Sequence, residues 1–248
     1  MAYIPGTEFN DTLNGTDGDD TIDGSGGDDF IRGGGGDDSL LGGDGNDTLS
    51  ATLGGSDTLH GEAGDDLLRT SGNNSDDLLD GGAGNDTLAI DASLTGGTLI
   101  GGSGTDLLEM RGGGGQDLRG TVISGIERTE LWQAVSFSID AAQAVNLGEI
   151  VMAEYALTNG SGLRLHAVDG QAAVVTPVLS GTQRLAVFST DSLASEMLSV
   201  DFSGGTYADD SYAAFYGGAG DEAVIGGSGN DDFRGGGGDD SLLGGDGN

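Results

Sequence analysis

Between Gly15 and Ser50 the chain repeats every nine residues, four times in succession: GTDGDDTID (15–23), GSGGDDFIR (24–32), GGGGDDSLL (33–41) and GGDGNDTLS (42–50). Each block has the form Gly-Gly-x-Gly-x-Asp-x-U-x, with Asp at the sixth place and a large apolar residue U at the eighth. A six-residue turn rich in glycine reaches positive-φ conformations that most side chains forbid, so its carbonyls can point inward together. The three residues after Asp have room for one short strand with U facing inward. One unit cannot bury that single residue alone, so units must stack. Two nonapeptides then make one coil, with a turn on each side and two short strands between. A flexible Gly/Asp linker would not hold Leu13, Ile22, Ile31, Leu40 and Leu49 in strict nine-residue register.

Stacked coils lie about 4.8 Å apart, the ordinary spacing of paired strands. At that separation the carboxylates of adjacent coils face each other, and something positive must sit between them. Ligands drawn only from carboxylate and carbonyl oxygens favour calcium over softer metals. On these residues the sequence resembles the RTX (hemolysin-type calcium-binding) repeat family, well over residues 6–119 and 217–248 and poorly between. The resemblance implies an all-β, right-handed parallel β-roll or β-helix solenoid with calcium in its Gly/Asp turns.

The 248 residues carry 42 acidic side chains against 8 basic ones, a formal charge of −34, with 52 glycines. Self-repulsion and glycine entropy both oppose compaction. Without a counter-ion the Asp-rich arrays are expected to be largely unfolded, and calcium is expected to act as a folding switch. Cysteine is absent, which excludes disulfides and thiolate metal sites. No run of eighteen apolar residues is long enough to cross a membrane as a helix. The opening MAYIPGTEFN has neither a basic n-region nor an apolar h-region, so no cleaved secretory signal is read there. The family resemblance instead implies type I secretion by an uncleaved C-terminal signal, and a secreted or cell-surface location. No such tail is visible, and the last block, GGDGN, stops before its Asp, so the sequence reads as a fragment.

Beyond Asp47 the turn positions Asp57, Asp66, Asp77, Asp86, Gly97, Asp106 and Asp117 follow at alternating long and short intervals. Every insertion therefore falls on one side of a two-turn coil, in ATLGGSD (51–57), TSGNNSDD (70–77), DASLTGG (91–97) and MRGGGGQD (110–117). The other side keeps its regular turns. One continuous calcium ladder is expected through Asp29, Asp47, Asp66, Asp86 and Asp106. The opposite ladder is expected to be good at Asp20 and Asp38, to weaken through Asp57 and Asp77, and to fail at Gly97. Asp117 completes that side. In the first unit, GTEFNDTLN (6–14), Phe9 stands where Gly belongs, so Asp11 is left out of the ligand set.

A second array begins at Gly217 with GGAGDEAVI, GGSGNDDFR and GGGGDDSLL, giving Asp231 and Asp240 as further ligands and Glu222 in an Asp place. Residues 234–248 are identical to 32–46, which suggests a long duplication in a parent protein. The block-opening glycines Gly24, Gly33, Gly42, Gly81, Gly101, Gly226 and Gly235 complete the candidate metal set, which is expected to hold roughly five to eight ions by stacking adjacent coils. Residues 120–216 lose both periodicities but keep short β-type runs: Thr121–Ile123, Val135–Ile139, Leu163–Val168, Ala173–Val178, Arg184–Phe188 and Leu198–Phe202. A less regular continuation of the solenoid is expected there, with a small β-sandwich as the alternative and one helical turn within 138–150. SGIERTEL (124–131) resembles segments that follow such arrays.

Motifs of catalysis are missing: there is no HExxH or GxSxG, and no Walker loop, which a chain without Lys cannot build. The charge disfavours nucleic acid, whose phosphates need Lys and Arg. His60 is expected to face solvent and His166 to lie mid-strand, while Trp132, Tyr207, Tyr212 and Tyr216 fit a solenoid core or edge better than a sugar platform. The leading reading is a non-catalytic calcium-binding segment of a secreted bacterial RTX-type protein. The alternatives are part of a carbohydrate-active parallel β-helix enzyme, with Glu149, Glu154, Asp169, His166 and Arg184 available, and a calcium-stiffened spacer of an adhesin or surface-layer protein.

Overall fold

The computed structural model describes residues 1–246 apart from 52, 71–75, 92, 95, 113 and, between 132 and 211, everything outside the strands named below. The chain divides into two compact units, residues 1–112 with 120–129, and residues 113–119 with 130–248. Every described regular element is a strand, and the strand pairs are parallel.

In the first unit one sheet stacks Tyr3–Pro5, Thr21–Asp23, Ser39–Asp44, Thr58–Ala63, Leu78–Ala83, Thr98–Ser103 and Val122–Ser124 in that order. The other runs Thr12–Asn14, Phe30–Arg32, Thr48–Ala51, Leu67–Thr70, Thr87–Ile90 and Leu107–Met110, and then the first two residues of the strand Arg128–Leu131. Successive strands of the chain alternate between the two sheets, which makes each pair one coil of a β-solenoid. The U residues stack in exact register, Ile22 on Leu40 on Leu59 on Leu79 on Leu99, and Ile31 on Leu49 on Leu68 on Leu88 on Leu108. All ten are at 0 % exposure and form the core. Strands such as Thr21–Asp23 thus contribute one buried apolar residue flanked by outward residues, here Thr21 and Asp23, the alternation that a half-buried strand requires. The parallel solenoid is the architecture that the repeat implied.

The second unit stacks Gly114–Asp117, Val135–Asp140, Gly162–His166, Arg184–Ser189, Tyr212–Tyr216 and Asp232–Arg234 in one parallel sheet. A second sheet holds Ala173–Val175, Met197–Asp201, Asp221–Ile225 and Ser241–Leu243, and Ser180–Gly181 pairs with Thr206–Tyr207. Parallel pairing is what a solenoid gives, whereas a small sandwich of hairpins would pair antiparallel. Each of the six β-type runs read from residues 120–216 contributes a strand. In this unit the register advances from Phe137 to Leu163, Val187 and Phe215, then only to Phe233, so the coils lengthen in the middle and shorten again where the nonapeptides resume. Ser138–Asp140 belongs to a strand, so no helical turn begins at Ser138, and residues 141–148 lie outside the described ones. Glu149–Met152 is another strand.

Candidate metal centre

The turns are built so that each Asp uses its two oxygens differently. Along the regular side of the first unit, the N–H of Asp11 donates to Oδ1 of Asp29 at 2.7 Å, that of Asp29 to Asp47 at 2.7 Å, and that of Asp47 to Asp66 at 2.7 Å. The series continues from Asp66 to Asp86 at 2.9 Å and from Asp86 to Asp106 at 2.8 Å. On the opposite side Asp20 donates to Asp38, Asp38 to Asp57 and Asp57 to Asp77, at 2.9, 2.8 and 3.0 Å. Oδ1 therefore ties each coil to the one before it.

The second oxygen is left over. Oδ2 of Asp29, Asp38, Asp47, Asp66, Asp86 and Asp106 is buried and has no hydrogen-bond partner. A buried carboxylate oxygen without a partner is costly, so the arrangement calls for a cation. The space beside each such oxygen is a cradle lined by backbone. A Cβ added at Gly42 would meet Oδ2 of Asp47 and, at 2.7 Å, the carbonyl oxygen of Gly61 in the next coil. Gly24, Gly61, Gly81 and Gly101 face the same pairing of one Oδ2 with one next-coil carbonyl, of Gly42, Gly81, Gly101 and Gly125. At Gly33 the nearest atoms are all of Asp38. Positive φ at the second and fourth places, supplied by glycine in most of them, goes with these open turns: in one coil Gly82 and Gly84 have φ of +101° and +141°.

Electrostatics follow the same division. Burial above all, with neighbouring carboxylates adding, pushes Asp57 and Asp66 up to about 7 and Asp86 to about 6. The same causes raise Asp29, Asp38 and Asp47 above the usual carboxylate range, and burial with Glu127 raises Asp106. Asp20 moves the other way, held down chiefly by the hydroxyl of Thr16. Among the described residues no three acidic or imidazole side chains cluster. Each turn thus offers one carboxylate, and its remaining donors are backbone oxygens, a set suited to a hard cation.

The sequence-predicted residues separate clearly. Asp29, Asp47, Asp66, Asp86 and Asp106 form one unbroken series with open cradles. Opposite them, Asp38 is open, but Oδ2 of Asp20 accepts from the Thr16 hydroxyl at 2.7 Å and that of Asp77 from the Thr70 hydroxyl at 2.6 Å. Part of the Asp57 turn and most of the Asp77 turn lie outside the described residues. At Gly97 the buried Leu94 fills the turn: a Cβ on Gly97 would meet its Cγ at 2.7 Å.

Asp117 is a correction. The next strand after Thr98–Ser103 is Val122–Ser124, with Leu99 opposite Ile123, so Thr121 takes the ligand place and its hydroxyl donates to the carbonyl of Leu94. Asp117 instead ends strand Gly114–Asp117 and its carboxylate accepts from the Arg119 guanidinium at 2.8, 3.1 and 2.5 Å. The insertion, four residues longer than the sequence spacing allowed, carries it out of the turn.

Two groups escaped the sequence reading. Glu127 Oε2 accepts the N–H of Asp106 at 2.7 Å and so closes the regular ladder; its distance of 21 residues from Asp106 is the one signal that could have found it. An outer rail runs beside the inner one, where Oδ1 of Asn10, Asp28, Asn46, Asp65 and Asn85 accepts the N–H of the following coil at 2.7–3.0 Å.

In the second unit Oδ2 of Asp231 is likewise buried without a partner, and Gly226 faces both that oxygen and the carbonyl of Gly244. Asp240 is exposed, with Oδ2 beside Gly235 and Oδ1 accepting the N–H of Glu222 at 3.1 Å. A profile of the RTX calcium-binding nonapeptide repeat matches residues 5–40, 24–54, 41–75, 52–88 and 216–248. These segments belong to the RTX calcium-binding repeat family. No curated protein matches the chain at a significant level.

Elsewhere, His60 Nδ1 lies 3.5 Å from the Asp80 carboxylate on the outer face. His166 ends strand Gly162–His166, and Tyr207 and Tyr212 also lie in strands. The Tyr216 hydroxyl donates to Asp232 at 3.2 Å, and Arg234 stacks on its ring at 5.3 Å. Trp132 lies outside the described residues. No described helix is long and apolar enough to cross a membrane.

Proposed function

We propose that this chain is a non-catalytic calcium-binding module whose RTX arrays fold as they take up the ion. The observation that carries the reading is the series of buried, unpartnered Oδ2 atoms of Asp29, Asp38, Asp47, Asp66, Asp86 and Asp106. Each sits beside a glycine whose place a methyl group could not share, and carboxylate and carbonyl oxygens are the donors calcium takes. Six such cradles in the first unit, with that of Asp231 in the second, fall within the range of five to eight ions expected from stacking. Calcium held by these carboxylates and the neighbouring backbone carbonyls would offset the charge that otherwise drives the coils apart. Extracellular calcium modules bind at about 10⁻⁴–10⁻³ M, so the arrays stay unfolded in a calcium-poor cell interior and fold outside. The family resemblance supports secretion by a type I system as the route.

Calorimetric calcium titration alongside far-ultraviolet circular dichroism tests this. Cooperative uptake of several ions with β-signal appearing is the expected result. A chain that takes up no calcium at tens of millimolar, or binds without gaining β-signal, overturns the proposal.

A further inference from the structure

The turns of Asp11 and Asp20 share at their second place a residue type that none of the six open turns has there. The open turns carry Ser25, Gly34, Gly43, Glu62, Gly82 and Gly102 at their second place, all with φ between +73° and +113°. The two turns at the start of the chain carry Thr7 and Thr16 there, and neither has a positive φ. A β-branched side chain resists the left-handed region strongly, so threonine disfavours the open conformation at this place; Gly218 and Gly227 in the second unit also lack a positive φ, but bring no hydroxyl. The consequence is local. The Thr16 N–H and hydroxyl both donate to Oδ2 of Asp20, each at 2.7 Å, and Thr7 makes the same pair to Asp11 at 2.7 and 2.8 Å. The threonine oxygen then accepts in turn, from Gly18 N–H at 3.3 Å and from Phe9 N–H at 3.2 Å.

We propose that threonine at the second turn place stands in for the cation, so that the coils of Asp11 and Asp20 close without metal and template the stacking of the rest. The inference rests on the reading of the open cradles as calcium sites. Two donors on one oxygen supply what an ion supplies elsewhere, and they are covalently part of the turn. The other donors are still in place: a Cβ on Gly15 would meet the Gly33 carbonyl and, at 3.0 Å, Oδ2 of Asp20. The hydroxyl acts only where the second place lacks a positive φ. Ser25 also has a hydroxyl, but with φ at +75° it reaches back to Asp23 at 3.3 Å and leaves Oδ2 of Asp29 without a partner. Thr70, whose hydroxyl satisfies Asp77, is a third instance of the same substitution of a side chain for an ion.

The test uses the full chain and the Thr16→Gly variant, which restores the repeat's own Gly-Gly start. Calcium calorimetry is expected to count one more ion in the variant than in the unsubstituted chain. Gly34→Thr, the reverse change, is expected to lose one. Hydrogen exchange in a calcium chelator provides a readout without metal: the amides of Thr16 and Asp20 should exchange more slowly than those of Gly43 and Asp47, and Thr16→Gly should abolish the difference. Equal ion counts in Thr16→Gly and the unsubstituted chain overturn the inference, as does equal exchange of the two pairs of amides in the metal-free chain. If the unsubstituted chain takes up no calcium at all, the functional proposal fails, while the metal-free exchange experiment still decides whether threonine closes these turns.

Discussion

Gly81→Ala places a methyl group where the cradle of Asp86 is open. The new Cβ would meet Oδ2 of Asp86, the Gly101 carbonyl at 2.5 Å and the Asp86 Cβ at 2.7 Å, while ordinary contacts begin near 3.4 Å. Two of those neighbours are the oxygens that a cation would bridge, so the substitution removes the site as well as crowding it. Crowding of this kind costs about 1–3 kcal/mol. A site held at ten times its dissociation constant contributes about 1.4 kcal/mol, which is also lost. The sum is about 2.5–4.5 kcal/mol. Divided over about five ions taken up together, 3 kcal/mol raises the calcium midpoint by about threefold, since 1.4 kcal/mol is tenfold. Gly18→Ala is the matched control, because a Cβ there meets nothing within 4 Å and its φ is not positive. That change should be neutral or stabilise by about 0.4–1 kcal/mol through the unfolded chain. Circular dichroism followed against calcium reads the midpoint, and calorimetry the ion count. A Gly81→Ala chain with the midpoint and ion count of Gly18→Ala would refute the cradle as the binding place.

Asp66→Asn and Asp20→Asn remove the same charge from unlike settings. The first, whose Oδ2 lacks a partner, should lose one ion by calorimetry, whereas the second, already satisfied by Thr16, should keep the full count. Acid should replace calcium in part. Asp57 and Asp66 titrate near 7 and Asp86 near 6 in the folded chain against 3.8 when free, so the folded state binds these protons more tightly. Their stabilising contribution is complete below 3.8 and lost as the pH climbs to about 7. A chelated sample moved from pH 7.5 to pH 5 is therefore expected to gain β-signal, and an unchanged or smaller signal at pH 5 contradicts the assignment.

The ladder was legible because the repeat is nearly one-dimensional. Once Asp and U recur at nine residues, coil geometry fixes which Asp follows which, and the alternation of intervals assigns the insertions to one side. Leu40 opposite Leu59 and Leu59 opposite Leu79 follow from the spacing even where a coil lengthens. Spacing fails where an insertion becomes long enough to form a strand of its own. MRGGGGQD still looks like a turn with Asp at its end, yet Gly114–Asp117 pairs with Val135–Ser138 and leaves the place to Thr121. The threonines were invisible for another reason. Read as poor matches to a glycine consensus, Thr7 and Thr16 count as drift, and only hydrogen-bond geometry shows that each satisfies the carboxylate it sits near. In residues 120–216 the β-type runs survived as strands, but with no fixed interval between coils their order in the sheets could not be counted.

Besides the backbone bonds and the outer rail, each boundary between coils on the regular side is crossed by an N–H donating to Oδ1 of the next coil and by a cradle opening on a carbonyl of the next coil. Both crossings need the later coil in place, so an ion in one cradle favours the coil that forms the next, and uptake is cooperative along the series. The last boundary has no repeat beyond it. Glu127 and Gly125 take over there, the first accepting the Asp106 N–H and the second presenting its carbonyl to the Gly101 cradle. Glu127→Ala leaves a buried donor on Asp106 without that acceptor, a loss of about 1–3 kcal/mol, while the backbone bond from Glu127 N–H to the Asp106 carbonyl at 3.1 Å persists. Glu127→Gln, which keeps an acceptor oxygen, should lose far less. Because the damage sits at one end, the alanine variant should release the ion of Asp106 before the others, turning one sharp calcium transition into a small early loss followed by the main one. If the alanine and glutamine variants instead titrate alike and in a single step, Glu127 does not close the ladder.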